Sequence, residues 1–187
     1  MPSRKQPSSR RRVLLGGAVL ALAGAGVVGT VAASATGPGD SAAPASVSPR
    51  KGALTRSTHL SLGAATEAAR AAVDAARKDG RQVSVAVVDR DGNTLVTLRG
   101  DGAGPQSYEA ARRKAFTAVS WNAPTSEPAG RLEQAPALKD IPGTLFLGGG
   151  APVTAKGAPV AGVGVAGAPS GDLDEKYARA GVAALGH

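Results

Sequence analysis

The chain has 187 residues, a formal net charge of +8, no cysteine and two histidines. Without cysteine there is no thiolate nucleophile, disulfide, iron-sulfur cluster, cysteine-type zinc site or covalent c-type haem attachment. Five of the 22 Lys and Arg, and none of the 14 Asp and Glu, fall in residues 1–35, leaving 17 basic against 14 acidic residues, a net +3 with interspersed signs. Beyond residue 35 only Arg112-Arg113-Lys114 is a basic cluster, and two Phe, two Tyr and one Trp are too few for base-stacking platforms, so nucleic acid is not an expected partner.

Arg10-Arg11-Arg12 precedes an uncharged run, Val13 to Ala33, and the small-x-small signal Ala33-Ser34-Ala35. This is the layout of a secretory signal peptide over residues 1–35. Ser9 to Leu15 resembles the twin-arginine export pattern, with Val13 where phenylalanine is usual. The run is just long enough to span a membrane, but it is rich in Gly and Ala, and the cleavage signal follows directly. The expectation is a secreted protein, extracellular or associated with the cell wall, with no stable membrane insertion after cleavage. Residues 36–52, rich in Pro, Ser, Ala and Gly, read as a flexible leader. Residues 53–187 then form a single domain.

Leu62 to Lys78 carries Leu62, Ala65, Ala69, Ala72, Val73 and Ala76 at helical spacing, with Ser61 as N-cap and Gly80 past its end. Val83 to Val88 alternates larger with smaller residues, as a half-buried strand does. Asp91-Gly92 predicts a two-residue hairpin turn leading to a partner strand, Thr94 to Arg99. The glycine loop Gly100 to Pro105 cannot continue a ladder and hands over to a helix capped by Ser107 and ending at Ser120-Trp121-Asn122. A short helix is expected from Ser126 to about Gln134, then a turn at Ile141-Pro142-Gly143 and a strand Thr144 to Leu147. Ala151 to Ala155 and Pro159 to Ala166 read as strands around a turn at Lys156-Gly157. Gly162 and Gly164, alternating with Val163 and Val165, predict an element packed closely over the last strand. Asp172 opens a final helix to about Leu185. The expected fold is α+β, with helices packed on a five-stranded antiparallel sheet.

The glycine loops at 100–104 and 148–150 match neither the dinucleotide nor the P-loop spacing, and read as turns. Asp172 and Glu175 share a helix face and are candidates for an iron ion, but acidic residues are also expected in a first helical turn. His59 and His187 lie outside any evident pocket and are expected to face solvent, against a Ser-His-Asp hydrolase. Glu109, Arg112, Arg113 and Lys114 read as a solvated helix face, or as cations for an anionic ligand.

Val83 to Asp89, Asp91-Gly92-Asn93, Arg99 to Pro105, Arg113-Lys114-Ala115-Phe116-Thr117-Ala118, Ile141-Pro142-Gly143 and Gly148-Gly149-Gly150-Ala151-Pro152 follow one another as in the GlcG/HbpS family. The resemblance covers nearly the whole of the domain. It implies a sheet-and-helix subunit that assembles into a homo-octamer, binds haem and takes up or releases iron. It further implies that the protein signals haem or redox stress to the sensor histidine kinase of a two-component system. With Met only at position 1 and two poorly placed histidines, a bound haem would take an oxygen ligand from the central helix or its entry loop. Thr117, Tyr108 and Ser107 are the candidates, each with a buried structural hydroxyl as the competing role. Two alternatives stand beside the sensor: a haem-degrading enzyme that releases iron, and a carrier of another small molecule on the same scaffold.

Overall fold

In a computed structural model of the chain, residues 47–186 are described; the signal-peptide reading and most of the leader fall outside them, as does His187. The described residues from Pro49 onward form one compact unit. No helix among the described residues is long and apolar enough to cross a membrane.

The elements run α1 (Leu62–Lys78), β1 (Ser84–Asp89), β2 (Thr94–Arg99), α2 (Pro105–Trp121), α3 (Ser126–Ala129), β3 (Gly150–Ala155), β4 (Ala158–Ala166) and α4 (Gly171–Ala183), with 3-10 turns at Pro136–Asp140 and Ala184–Gly186. The sheet is antiparallel throughout in the order β2-β1-β4-β3. Val85 pairs with Val165 and Val87 with Val163, while Ala86 pairs with Gly164 and Val88 with Gly162. Because side chains alternate across a strand, the first set faces α1 and α4 and the second faces α2. The domain therefore has three layers and two cores. One is built from valines, the alanine stripe of α1 and Tyr177 of α4; the other from Ala86, Val88, Ala111, Ala115 and Val119.

The sheet has four strands, one fewer than the sequence predicts. Thr144 to Leu147 pairs with no strand because side chains take up its backbone groups. Leu145 N–H donates to Thr117 Oγ1 at 2.8 Å, the Leu147 carbonyl accepts from Thr125 Oγ1 at 2.7 Å, and the Thr144 carbonyl accepts from the Arg113 guanidinium. Strand β1 is buried on both faces rather than one, since helices cover the sheet on both sides.

Two terminal readings also shift. Helix α2 starts at Pro105 with Gly104 as its cap, since proline at the first helical position lacks an amide that would go unpaired and carries a preset φ. Ser107 is thus inside the helix instead of capping it. The β1–β2 turn spans residues 90–93: Asp89 N–H donates to the Asn93 carbonyl, and a bulge between Val87 and Val88 displaces the register. Gly92, at φ +89°, lies against the Phe116 ring. Helix α1 matches its predicted span, with Ser61 Oγ accepting from Ala64 N–H at 3.2 Å, and Lys156-Gly157 is the β3–β4 hairpin turn. The short helix after α2 stops at Ala129, well before Gln134.

Candidate functional site

Helix α2 lies across the glycine face of the sheet. A Cβ at Gly150 would meet the Lys114 carbonyl at 2.5 Å, and Cβ atoms at Gly162 and Gly164 would overlap the Ala115 and Ala111 carbonyls. That close seating sets which α2 side chains reach solvent.

Ser107 and Thr117 do not. Ser107 is 1% exposed; its hydroxyl donates to the Gly104 carbonyl at 2.6 Å and accepts from Ser84 at 2.8 Å, tying the helix entry to β1. Thr117 is fully buried, donating to the Arg113 carbonyl at 2.8 Å and accepting from Leu145 N–H. Both hydroxyls are buried and engaged by protein partners. Tyr108 is different: it is 49% exposed, and its phenol has no hydrogen-bond partner among the described residues.

The basic run divides as well. Arg112 reaches back to Glu109 with Nε at 3.0 Å and Nη2 at 2.6 Å. That bidentate bond lowers the Glu109 carboxyl and raises the Arg112 guanidinium from their usual ranges. Arg112 Nη1 stays free of protein acceptors among the described residues. Arg113 is turned to Thr144, and Phe116 sits against Gly92 and Gly143. Lys114 departs from the predicted solvated face. It is 4% exposed, and its Nζ is 2.7 Å from Asp174 Oδ2 and 3.1 Å from the Val165 carbonyl. The spacing of Lys114 with Ala111, Ala115 and Ala118 already put it on the inner stripe of α2, a signal masked by its two cationic neighbours. Burial pushes the Asp174 carboxyl upward, and Lys114 with the amides of residues 167 and 168 offsets only part of that.

Asp172 and Glu175, the sequence candidates for an iron ion, are not brought together as ligands. Asp172 is exposed. Glu175 is buried and accepts from Ser126 N–H at 3.1 Å, Ser126 hydroxyl at 3.0 Å and Arg179 at 2.8 Å. Burial raises its pKa, but the Arg179 and Ser126 bonds outweigh it and the net shift is downward. A carboxyl with a folded-state pKa below its unfolded value adds stability above the unfolded pKa, and that stability disappears as pH falls through the folded one. Glu175→Gln is therefore expected to flatten the acid limb of the stability curve below the ordinary glutamate value of 4.5, with urea midpoints measured across that limb as the check. An unchanged limb would remove Glu175 from the linkage.

Sequence reasoning missed a further group. His59, exposed as expected, lies near Asp89 and Asp91, with one ligand atom from each within 4.8 Å of the others. The signal was Asp89-x-Asp91 in the hairpin turn, but nothing in sequence spacing links it to His59. Asp89 is buried and holds the turn, accepting from Asp91 N–H at 2.9 Å, Asn93 N–H at 2.8 Å and Asn93 Nδ2 at 3.1 Å. Burial raises its carboxyl pKa, but these bonds overcome that and hold it below the usual range. His59 also edges an open cleft of about 390 Å³ walled by Leu60, Val153, Val160, Val182 and Leu185.

Fold and site together define an α+β domain with one helix on the glycine face of a four-stranded antiparallel sheet, two on the valine face, and an exposed phenol four residues before Arg112 on the outer helix. Residues 60–183 match the family described as haem degrading protein HbpS-like, and the chain belongs to that family. The crystal structure of HbpS is 83% identical, covering 75% of this chain and all of that one, with a TM-score of 0.74. A double glutamate-to-aspartate variant of HbpS from Streptomyces reticuli is 81% identical over 78% of this chain and 99% of that one, TM-score 0.76. A PduOC:heme complex is 29% identical over 68% of this chain and 95% of that one, TM-score 0.62. No curated protein matches.

Proposed function

We propose that this protein binds haem on the outward face of α2, with the Tyr108 phenol as the iron ligand. The observation that carries this reading is that, of the three candidate hydroxyls, Tyr108 alone is exposed and without a partner among the described residues. The donor set suits the group: a phenol and, one helical turn on, the Arg112 guanidinium with a free Nη1 for a propionate carboxylate. Strong similarity to HbpS and the shared fold with a haem complex support it. When bound, haem supplies an iron centre able to react with oxygen or peroxide. The chain's own part is to orient the macrocycle through Arg112 and to present the Tyr108 phenol oxygen as the ligand.

In this reading the mature protein is secreted, assembles as a homo-octamer and passes haem or redox stress to a sensor histidine kinase, handling iron ions as well as haem. The family description favours a second reading, haem degradation with release of iron, whose mark is a biliverdin-like product formed with reductant or peroxide.

The test is a haemin titration of the full chain followed by absorbance. A saturable Soret shift is expected, weakened by about tenfold or more in Tyr108→Phe together with loss of the phenolate charge-transfer band, and retained in His59→Ala. A shift retained in Tyr108→Phe but lost in His59→Ala would move the site to the cleft beside His59.

A further inference from the structure

The cluster at the turn end of the β1–β2 hairpin is independent of the haem reading. His59 sits on the extended segment leading into α1, Asp89 ends β1, and Asp91 lies in the turn. His59 Nδ1 is 3.7 Å from Asp91 Oδ2. That is too long for a hydrogen bond. It is close to the roughly 3.4 Å that separates two donors held at about 2.1 Å from one tetrahedral ion.

The unused capacity of these groups points the same way. His59 Nε2 is 2.6 Å from Ser57 Oγ. With Nε2 carrying the proton and donating to Ser57, the Nδ1 lone pair is left facing the carboxylates, the arrangement by which an outer hydroxyl orients a metal-ligating imidazole. Asp89 is held by three hydrogen bonds, and its Oδ2, which takes only the Asn93 amide, keeps a free lone pair. Asp91 receives no hydrogen bond at its carboxylate among the described residues, and its side chain is 59% exposed. The site is thus oriented, anionic and open to solvent.

We infer that His59, Asp89 and Asp91 bind one first-row divalent transition-metal ion of the Zn²⁺ class, clamping the segment before α1 to the β1–β2 hairpin. One imidazole nitrogen and two carboxylates suit such an ion better than Mg²⁺ or Ca²⁺, which take oxygen donors alone. Three protein ligands leave at least one position for water, so the site is of the open kind.

Calorimetric titration of the full chain with Zn²⁺ tests this. One ion per chain is expected, with affinity reduced by about tenfold or more in His59→Ala and in Asp91→Asn, and unchanged in His187→Ala. Zn²⁺ should raise the melting temperature of the parent by more than that of the two variants, because the parent binds the ion more tightly when folded. Co²⁺ used in place of Zn²⁺ should give visible d–d bands that His59→Ala abolishes. Zn²⁺ affinity unchanged in both variants would overturn the site. So would an absence of saturable binding in the parent, with His59→Ala lowering only the melting temperature; that result would leave a His59–Asp91 ion pair and nothing more. Displacement of Zn²⁺ by equimolar Mg²⁺ would overturn the assigned ion class.

Discussion

Lys114→Met is expected to destabilise the domain by about 3–5 kcal/mol, a large share of the stability of a domain of this size. The substitution keeps the apolar stem of the side chain and removes the ammonium, leaving the Asp174 carboxylate enclosed with no cation at 2.7 Å. Isothermal urea denaturation reads the loss directly, as a lower midpoint at unchanged slope. A second substitution separates the charge effect from packing. Asp174→Asn keeps the Oδ1 acceptor for Ala168 N–H at 2.9 Å while removing the charge, so the double variant Lys114→Met/Asp174→Asn should recover at least half the loss. The pH dependence has a definite sign. Burial already raises the Asp174 carboxyl, and removing Lys114 raises it further. A carboxyl raised on folding contributes stability below its unfolded pKa that is lost as pH rises through the folded one. The penalty of Lys114→Met should therefore be larger at neutral than at mildly acidic pH. A double variant as unstable as the single one would show that the pair matters through shape and not charge.

Gly164→Ala should cost about 3 kcal/mol, and Gly162→Ala a similar amount, at the upper end of overpacking effects. The added methyl at 164 would lie on the Ala111 carbonyl and the Ala115 backbone, and at 162 on the Ala115 carbonyl with Val119 N at 3.0 Å. Neither neighbour is a flexible side-chain tip. The helix has to lift, which strains the Lys114–Asp174 pair and the Ser84–Ser107 link together. Because both methyls lift the same helix, the double variant should lose less than the sum of the two. Gly157, in a surface turn at φ +80° with nothing within 4 Å of an added Cβ, is the contrast: Ala there meets backbone strain alone and should cost less. Thermal or urea midpoints for the three variants decide the order, and equal losses at 157 and 164 would refute close helix seating.

Much of the fold was legible in the chain. The span of α1 follows from its alanine stripe and Ser61, and the glycine–valine alternation of β4 correctly announces something packed against it. Thr144 to Leu147 misled because its apolar, β-prone residues fit a strand, while the groups that satisfy its backbone come from Arg113, Thr117 and Thr125, distant in sequence. Asp172 and Glu175 share helical spacing, but Glu175 is claimed by Ser126 from another element. Of the proposed haem residues, the sequence could not rank Ser107, Tyr108 and Thr117, since a hydroxyl's availability depends on what the fold places beside it.

By itself the sequence determined the α+β class, the family, most element spans and the close approach over Gly162 and Gly164, because these rest on local periodicity, capping and the absence of a side chain. Only the tertiary structure decided that Lys114 is a buried partner of Asp174, that Tyr108 is the free hydroxyl, and that His59 meets Asp89 and Asp91. The reason is physical. Burial and pairing arise between groups 30 to 60 residues apart in the chain, brought together by sheet register and helix seating, and no spacing rule reaches across that separation.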